Sequence, residues 1–169
     1  MIGRALALGA ALILLSAVGA QAQDDDEEAI DYSRSGSYAS LYASYANFQD
    51  GHDNHSGGGG AIVGYYFLPQ LAMETQVEGQ SDDATLLWTY NVKYVPFPKL
   101  RIQPYLKAGL GLMAGRDDDE WLFTGRFSGG FDFFLSETIA MFAAYDYARA
   151  GSHGHDAHIA NLGVTLFFD

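Results

Sequence analysis

The five histidines fall in two short stretches, and imidazole beside carboxylate is metal-binding chemistry. His52 and His55 lie in one stretch with Asp50 and Asp53. His153, His155 and His158 lie in the other with Asp156. Nitrogen and oxygen donors of this kind suit zinc, copper or nickel. A pair from each stretch, His52 with His55 and His153 with His155, is the candidate weak Zn or Cu site, with Asp53 and Asp156 as acceptors or ligands. Neither spacing is a zinc signature of fixed geometry, so solvated loop histidines are the competing reading. No other cofactor is implied. Ser152, His153 and Asp156 also supply the residue types of an acyl-transfer triad. They crowd into five positions of a glycine-containing loop with no regular element to fix them, so the chain reads as a non-enzyme.

A second set of reactive groups is dispersed along the chain: Glu74, Glu78, Asp132 and Asp146 against Lys93, Lys107 and Arg126. Each occupies the polar phase of a run whose other phase is apolar. Leu71, Met73, Thr75 and Val77 alternate with Ala72, Glu74, Gln76 and Glu78; Trp88, Tyr90, Val92 and Tyr94 alternate with Thr89, Asn91 and Lys93. Strand side chains alternate with period two, so each set forms one face. If the strands close into a barrel, the charges meet in its lumen. They are expected to pair there, because an unpaired buried charge costs about several kcal/mol. Such a network reads either as a gate or proton path, or as a salt-bridged plug. Eight strands leave room only for side chains, which favours the plug and argues against an open general porin.

The elements that must position these groups can be marked off by their turns. Eight alternating runs are visible: Ser37 to Phe48, Ala61 to Phe67, Leu71 to Gly79, Ala84 to Val95, Leu100 to Ala114, Trp121 to Phe133, Ile139 to Ala148, and the final run from Asn161. Pro69, and Pro96 with Pro98, mark tight turns. Gln49 to Gly60, Gly115 to Glu120 and Arg149 to Ala157 read as polar loops. Pro104, inside the fifth run, predicts a bulge or a missing ladder bond. Pairing the first strand with the last would bring both histidine stretches to one rim.

Upstream of the strands, Arg4 precedes an apolar run from Ala5 to Val18, and Ala20-Gln21-Ala22 offers a small-x-small site. The run is short for a spanning helix, which needs about 20 residues. Residues 1–22 therefore read as a signal peptide cleaved after Ala22. Residues 23–35, opening on five consecutive acids, read as a disordered leader, and residues 36–169 as the barrel. The remaining chain of about 147 residues carries eight basic against 21 acidic residues, a formal charge of −13. That excess argues against nucleic acid as a partner. There is no cysteine, hence no disulfide framework.

The last run, Asn161 to Phe168, puts Leu162, Val164, Leu166 and Phe168 on one face. An apolar face backed by small and polar residues suits lipid on one side and a lumen on the other. Asn161, Gly163, Leu166 and Phe168 fill the places of the C-terminal assembly signal of bacterial outer-membrane barrels, which this stretch resembles; Asp169 follows the aromatic. Gln103-Pro104-Tyr105-Leu106-Lys107-Ala108-Gly109-Leu110-Gly111 resembles a strand of the small opacity-type barrels, akin to the transmembrane domain of outer-membrane protein A. Gly64-Tyr65-Tyr66-Phe67 and Asp132-Phe133-Phe134-Leu135-Ser136 are similar to two others of that family. The resemblance implies an all-β, eight-stranded antiparallel transmembrane barrel with a filled polar lumen, in the Gram-negative outer membrane. Its partners would be outer-membrane lipid, the barrel assembly machinery and an unidentified extracellular ligand. A structural or surface-interaction role is the expectation. A histidine-rim metal binder is the alternative, followed by an outer-membrane lipid-modifying enzyme.

Overall fold

The computed structural model describes residues 31–49, 53–81, 85–114, 121–151 and 155–168. Eight antiparallel strands close on themselves: β1 (Gly36–Gln49), β2 (Asp53–Leu68), β3 (Leu71–Gln80), β4 (Leu86–Tyr94), β5 (Ile102–Ala114), β6 (Leu122–Phe134), β7 (Ile139–Ala150) and β8 (His155–Phe168). Each pairs with its sequence neighbours, and β1 pairs with β8, so no edge is left open. Closure satisfies the strand backbone within the sheet, as a lipid environment demands.

Alternation in the sequence becomes alternation in burial. Along β4, Leu86, Trp88, Tyr90, Val92 and Tyr94 are exposed, while Leu87, Thr89, Asn91 and Lys93 are buried. On β1, Leu41 and Tyr45 point outward and Tyr38, Ser40, Tyr42 and Ser44 inward. The outer wall is thus apolar and aromatic, whereas the interior holds the polar groups. That is the reverse of a water-soluble barrel and the arrangement of a membrane-spanning one.

Two expected loops turn out to be strand. β2 begins at Asp53, and its four consecutive glycines pair in register, Gly57 with Tyr45 through Gly60 with Tyr42. At Gly60 the glycine is needed because the opposing side chain is large: a Cβ there would stand 2.6 Å from Cζ of Tyr42. At the other end of the chain, β7 continues to Ala150 and β8 starts at His155, consuming most of the expected loop from Arg149 to Ala157. β1, β2 and β8 therefore run 14, 16 and 14 residues, against 9 for β4. About 9–11 residues suffice to cross a bilayer, and the β1–β2 hairpin runs on past Gly58, where the pairing of β2 with β3 ends.

Pro104 produces no bulge. It pairs with Phe131 in an unbroken β5–β6 register, and on its other side β4 has already ended opposite Leu106. The one register shift between β2 and β3 falls between Tyr66 and Leu68, beside the Pro69 turn.

Candidate functional site

The lumen gathers the charged side chains of the polar strand faces, and it is built in three tiers. At the end where β2–β3, β4–β5 and β6–β7 turn, the tier is aromatic: Tyr38, Tyr66, Tyr105, Phe134 and Phe167 pack with Ala72, Val95 and Ala140. Tyr38 lies 5.2 Å from Tyr66 and 5.7 Å from Phe167, ring centre to ring centre. At the opposite, loop end the tier is small and aliphatic, with Ala46, Phe48, Leu87, Met113, Ala148, Ala157 and Ile159 in contact.

All seven charged residues marked from sequence lie buried in the tier between. Lys93 Nζ donates to Asp132 Oδ2 at 2.7 Å, and Lys107 Nζ stands 3.3 Å from Glu74 Oε2. Arg126 pairs with Glu78 at 2.7 Å and also with Asp146. Neutral donors also bond Glu74, Glu78 and Asp146. Tyr38 OH donates to Glu74, Gln76 Nε2 to Tyr42 OH at 2.7 Å, and Tyr42 OH to Glu78 at 3.2 Å. Asn161 Nδ2 donates to Asp146 at 2.6 Å, and Gln80 Nε2 to Glu78 at 2.6 Å. The ammonium of Lys93 also lies 4.1 Å from the centre of the Tyr105 ring, whose face attracts cations. A void of about 10 Å³ remains between Tyr38, Glu74, Lys93, Tyr105 and Asp132, room for about one water.

Inward glycines create the space these long side chains need. A Cβ on Gly64 would collide with the Tyr38 ring, and one on Gly163 would come within 2.6 Å of Phe142 Cε1 and Tyr42 Cβ. Of the four residues resembling an assembly signal, Asn161 and Gly163 face the lumen, while Leu166 and Phe168 lie exposed on the outer wall.

The histidines are distributed differently from the expected rim. His52 and His153 lie outside the described residues. His155 opens β8 opposite Ala150. His55 is a β2 residue stacked on Tyr45, with rings 5.7 Å apart and 15° from parallel. His158, not among the four expected ligands, faces outward from β8 with Nδ1 2.6 Å from Tyr145 OH. Closure of β1 onto β8 does bring the two stretches together, because Asn47 pairs with His55 on one side and His158 on the other. Counting back along β8 from its terminus would have identified this pairing. Among the described residues, no group of three His, Cys, Asp or Glu is close enough to hold a metal ion. Of the triad candidates, Ser152 and His153 are outside the described residues. Asp156 faces Arg149 at 3.7 Å.

Sequence reasoning missed the turn-end closure by the segment before β1. Of the expected leader, residues 23–30 lie outside the described residues, as does the expected signal peptide, but Tyr32 and Arg34 pack onto the barrel. The Tyr32 ring lies 5.3 Å from Phe134, and Gln103 Nε2 donates to Tyr32 O at 3.1 Å. The Arg34 guanidinium sits 5.0 Å from the Phe134 ring centre and 5.8 Å from that of Phe167. Tyr32, the one aromatic residue between positions 23 and 35, was the available signal.

The same architecture recurs in known proteins. The family model described as outer membrane protein beta-barrel domain matches residues 10–168. Neisserial surface protein A superposes with a TM-score of 0.65 at 16% identity, covering 79% of this chain and 98% of that one. The N-terminal β-barrel domain of Pseudomonas aeruginosa OprF gives 0.64 at 17% identity, with 80% and 100% covered. The outer membrane protein OprG of the same organism gives 0.55 at 15%, with 79% and 94% covered. No curated protein matches the chain in sequence.

Proposed function

We propose that this chain, which belongs to the outer membrane protein beta-barrel domain family, is a non-enzymatic barrel with a structural or surface-interaction role rather than an open general porin. The filled lumen carries this reading. An aromatic tier, a paired ionic tier and an aliphatic tier follow one another along the axis, and the void among the charges is of single-water size. An aqueous channel needs a wider barrel, as in porins of about 16–18 strands. The turn end would face the periplasm and the loop end, with its long β1–β2 hairpin, the exterior, where an extracellular ligand would be met. Residues 1–22 take the role of an export signal in this reading. Asn161 to Phe168 would be met by the assembly machinery, and the apolar wall by outer-membrane lipid. Liposome swelling tests the proposal. Vesicles carrying the refolded protein should swell in small sugars no faster than empty vesicles, and porin-like swelling would sink it.

A second reading is favoured by one observation, the placement of His55 and His158 on either side of Asn47. Two imidazoles across one strand could hold zinc or copper weakly, joined by His52, His153 and His155. Calorimetric titration with each metal, on wild type and on the His55→Ala/His158→Ala variant, separates the cases. Equal heats from both proteins would remove this reading.

A further inference from the structure

The outer wall is not uniformly covered. Between β4 and β7 a groove of about 630 Å³ opens toward the lipid, lined by Tyr90, Leu110, Phe127 and Tyr147, with Arg149 at its upper end. Its floor comes from small residues on adjacent strands. Ala108 pairs with Phe127, and Gly125 pairs with both Leu110 and Arg149. A second hollow of about 300 Å³, between Trp88, Tyr90, Leu110 and Phe123, continues it along the same strands. A Cβ placed on Gly125 would meet nothing within 4 Å, so the gap is real space rather than packed wall.

The groove has a direction. Arg149 is next to last on β7, at the loop end, whereas Val92 lies two residues from the turn end of β4. The groove therefore descends from the outer rim into the membrane, and its sides are aromatic and aliphatic throughout. An acyl chain matches its lower part in chemistry. At its head, Arg149 is 60% exposed at the side chain, and its one ion pair among the described residues is the 3.7 Å contact to Asp156. A guanidinium so weakly engaged can take a phosphate in two parallel hydrogen bonds. Its in-chain partner, the Asp156 carboxylate, stands 3.7 Å away, which leaves donors of the exposed guanidinium for a second anion.

We propose that this groove binds an anionic lipid of the outer leaflet, with the phosphate on Arg149 and one acyl chain lying over Gly125 and Ala108. The lipid would be a resident of the wall, filling the gap that the small residues leave.

Native mass spectrometry of barrels extracted from vesicles of mixed phosphatidylglycerol and phosphatidylcholine tests this. Wild type should retain phosphatidylglycerol in preference to phosphatidylcholine. Arg149→Gln should lower that retention by about tenfold, the worth of one charge-assisted hydrogen bond. Gly125→Trp should fill the groove and abolish retention, while Gly79→Trp, at another position where a Cβ meets nothing within 4 Å, should leave it intact. Gel mobility before and after heating reports that each variant is folded, and Arg149→Gln keeps the test open if Gly125→Trp fails to assemble. Equal retention of both lipids by wild type, or unchanged retention in Arg149→Gln, would overturn the proposal. So would a lipid-free dimer that Gly125→Trp dissociates, which would make a second copy of the chain the occupant.

Discussion

Arg126 on β6 reaches across the lumen to Glu78 on β3, 2.7 Å away, and so ties together two strands that never pair. The same guanidinium holds Asp146 on β7. Replacing Arg126 with Met would strand two buried carboxylates and should cost about 3–5 kcal/mol. Arg126→Lys should recover part of that loss. The neutral triple variant Glu78→Gln/Arg126→Met/Asp146→Asn should lie closer to wild type than Arg126→Met does. Urea unfolding of the reconstituted barrel measures all three, and an Arg126→Met barrel as stable as wild type would contradict the network's role.

Gly64 and Tyr38 make the second prediction. A Cβ on Gly64 would collide with the Tyr38 ring, whereas one on Gly57 would meet nothing within 4 Å. Gly64→Ala should therefore destabilise by about 1–3 kcal/mol, the usual cost of overpacking. Gly57→Ala should stay within about 0.5 kcal/mol of wild type. Adding Tyr38→Ala to Gly64→Ala should show coupling between the two sites. Additive losses in the same unfolding assay would mean that the glycine serves some other purpose.

Phe168 pairs with Ser37 on β1 and projects its ring outward, 51% exposed. Phe168→Asp puts a charge on the lipid face at the closing seam and should impair insertion. The variant should accumulate in the periplasm and lose the mobility shift on heating that marks a folded barrel. Normal surface display would count against the assembly role of Asn161, Gly163, Leu166 and Phe168.

The lumen-facing charges were legible because period-two alternation is local: Glu74 and Glu78 flank Gln76, and Lys93 follows Asn91 and Thr89. Which carboxylate meets which cation was not legible. Glu78 finds Arg126 only because the closed barrel sets strands three apart face to face, and nothing near Glu78 in the chain encodes that. The glycines from Gly57 to Gly60 misled for a related reason. Read locally, four glycines signal a loop; Gly60 among them admits the Tyr42 ring, which is a neighbour only once β1 and β2 pair. His158 was not among the four expected ligands, yet the β1–β8 register sets it opposite Asn47, which pairs with His55 on its other side. Long-range pairing, not composition, decided each of these cases.

The central claim, a lumen closed by its own side chains, is tested most directly by planar-bilayer recording of the purified monomer at fixed voltage. The account predicts no steady ohmic current from wild type, because the ion pairs of Arg126, Lys93 and Lys107 leave no continuous water path. A large, stable conductance from wild-type monomer would contradict it.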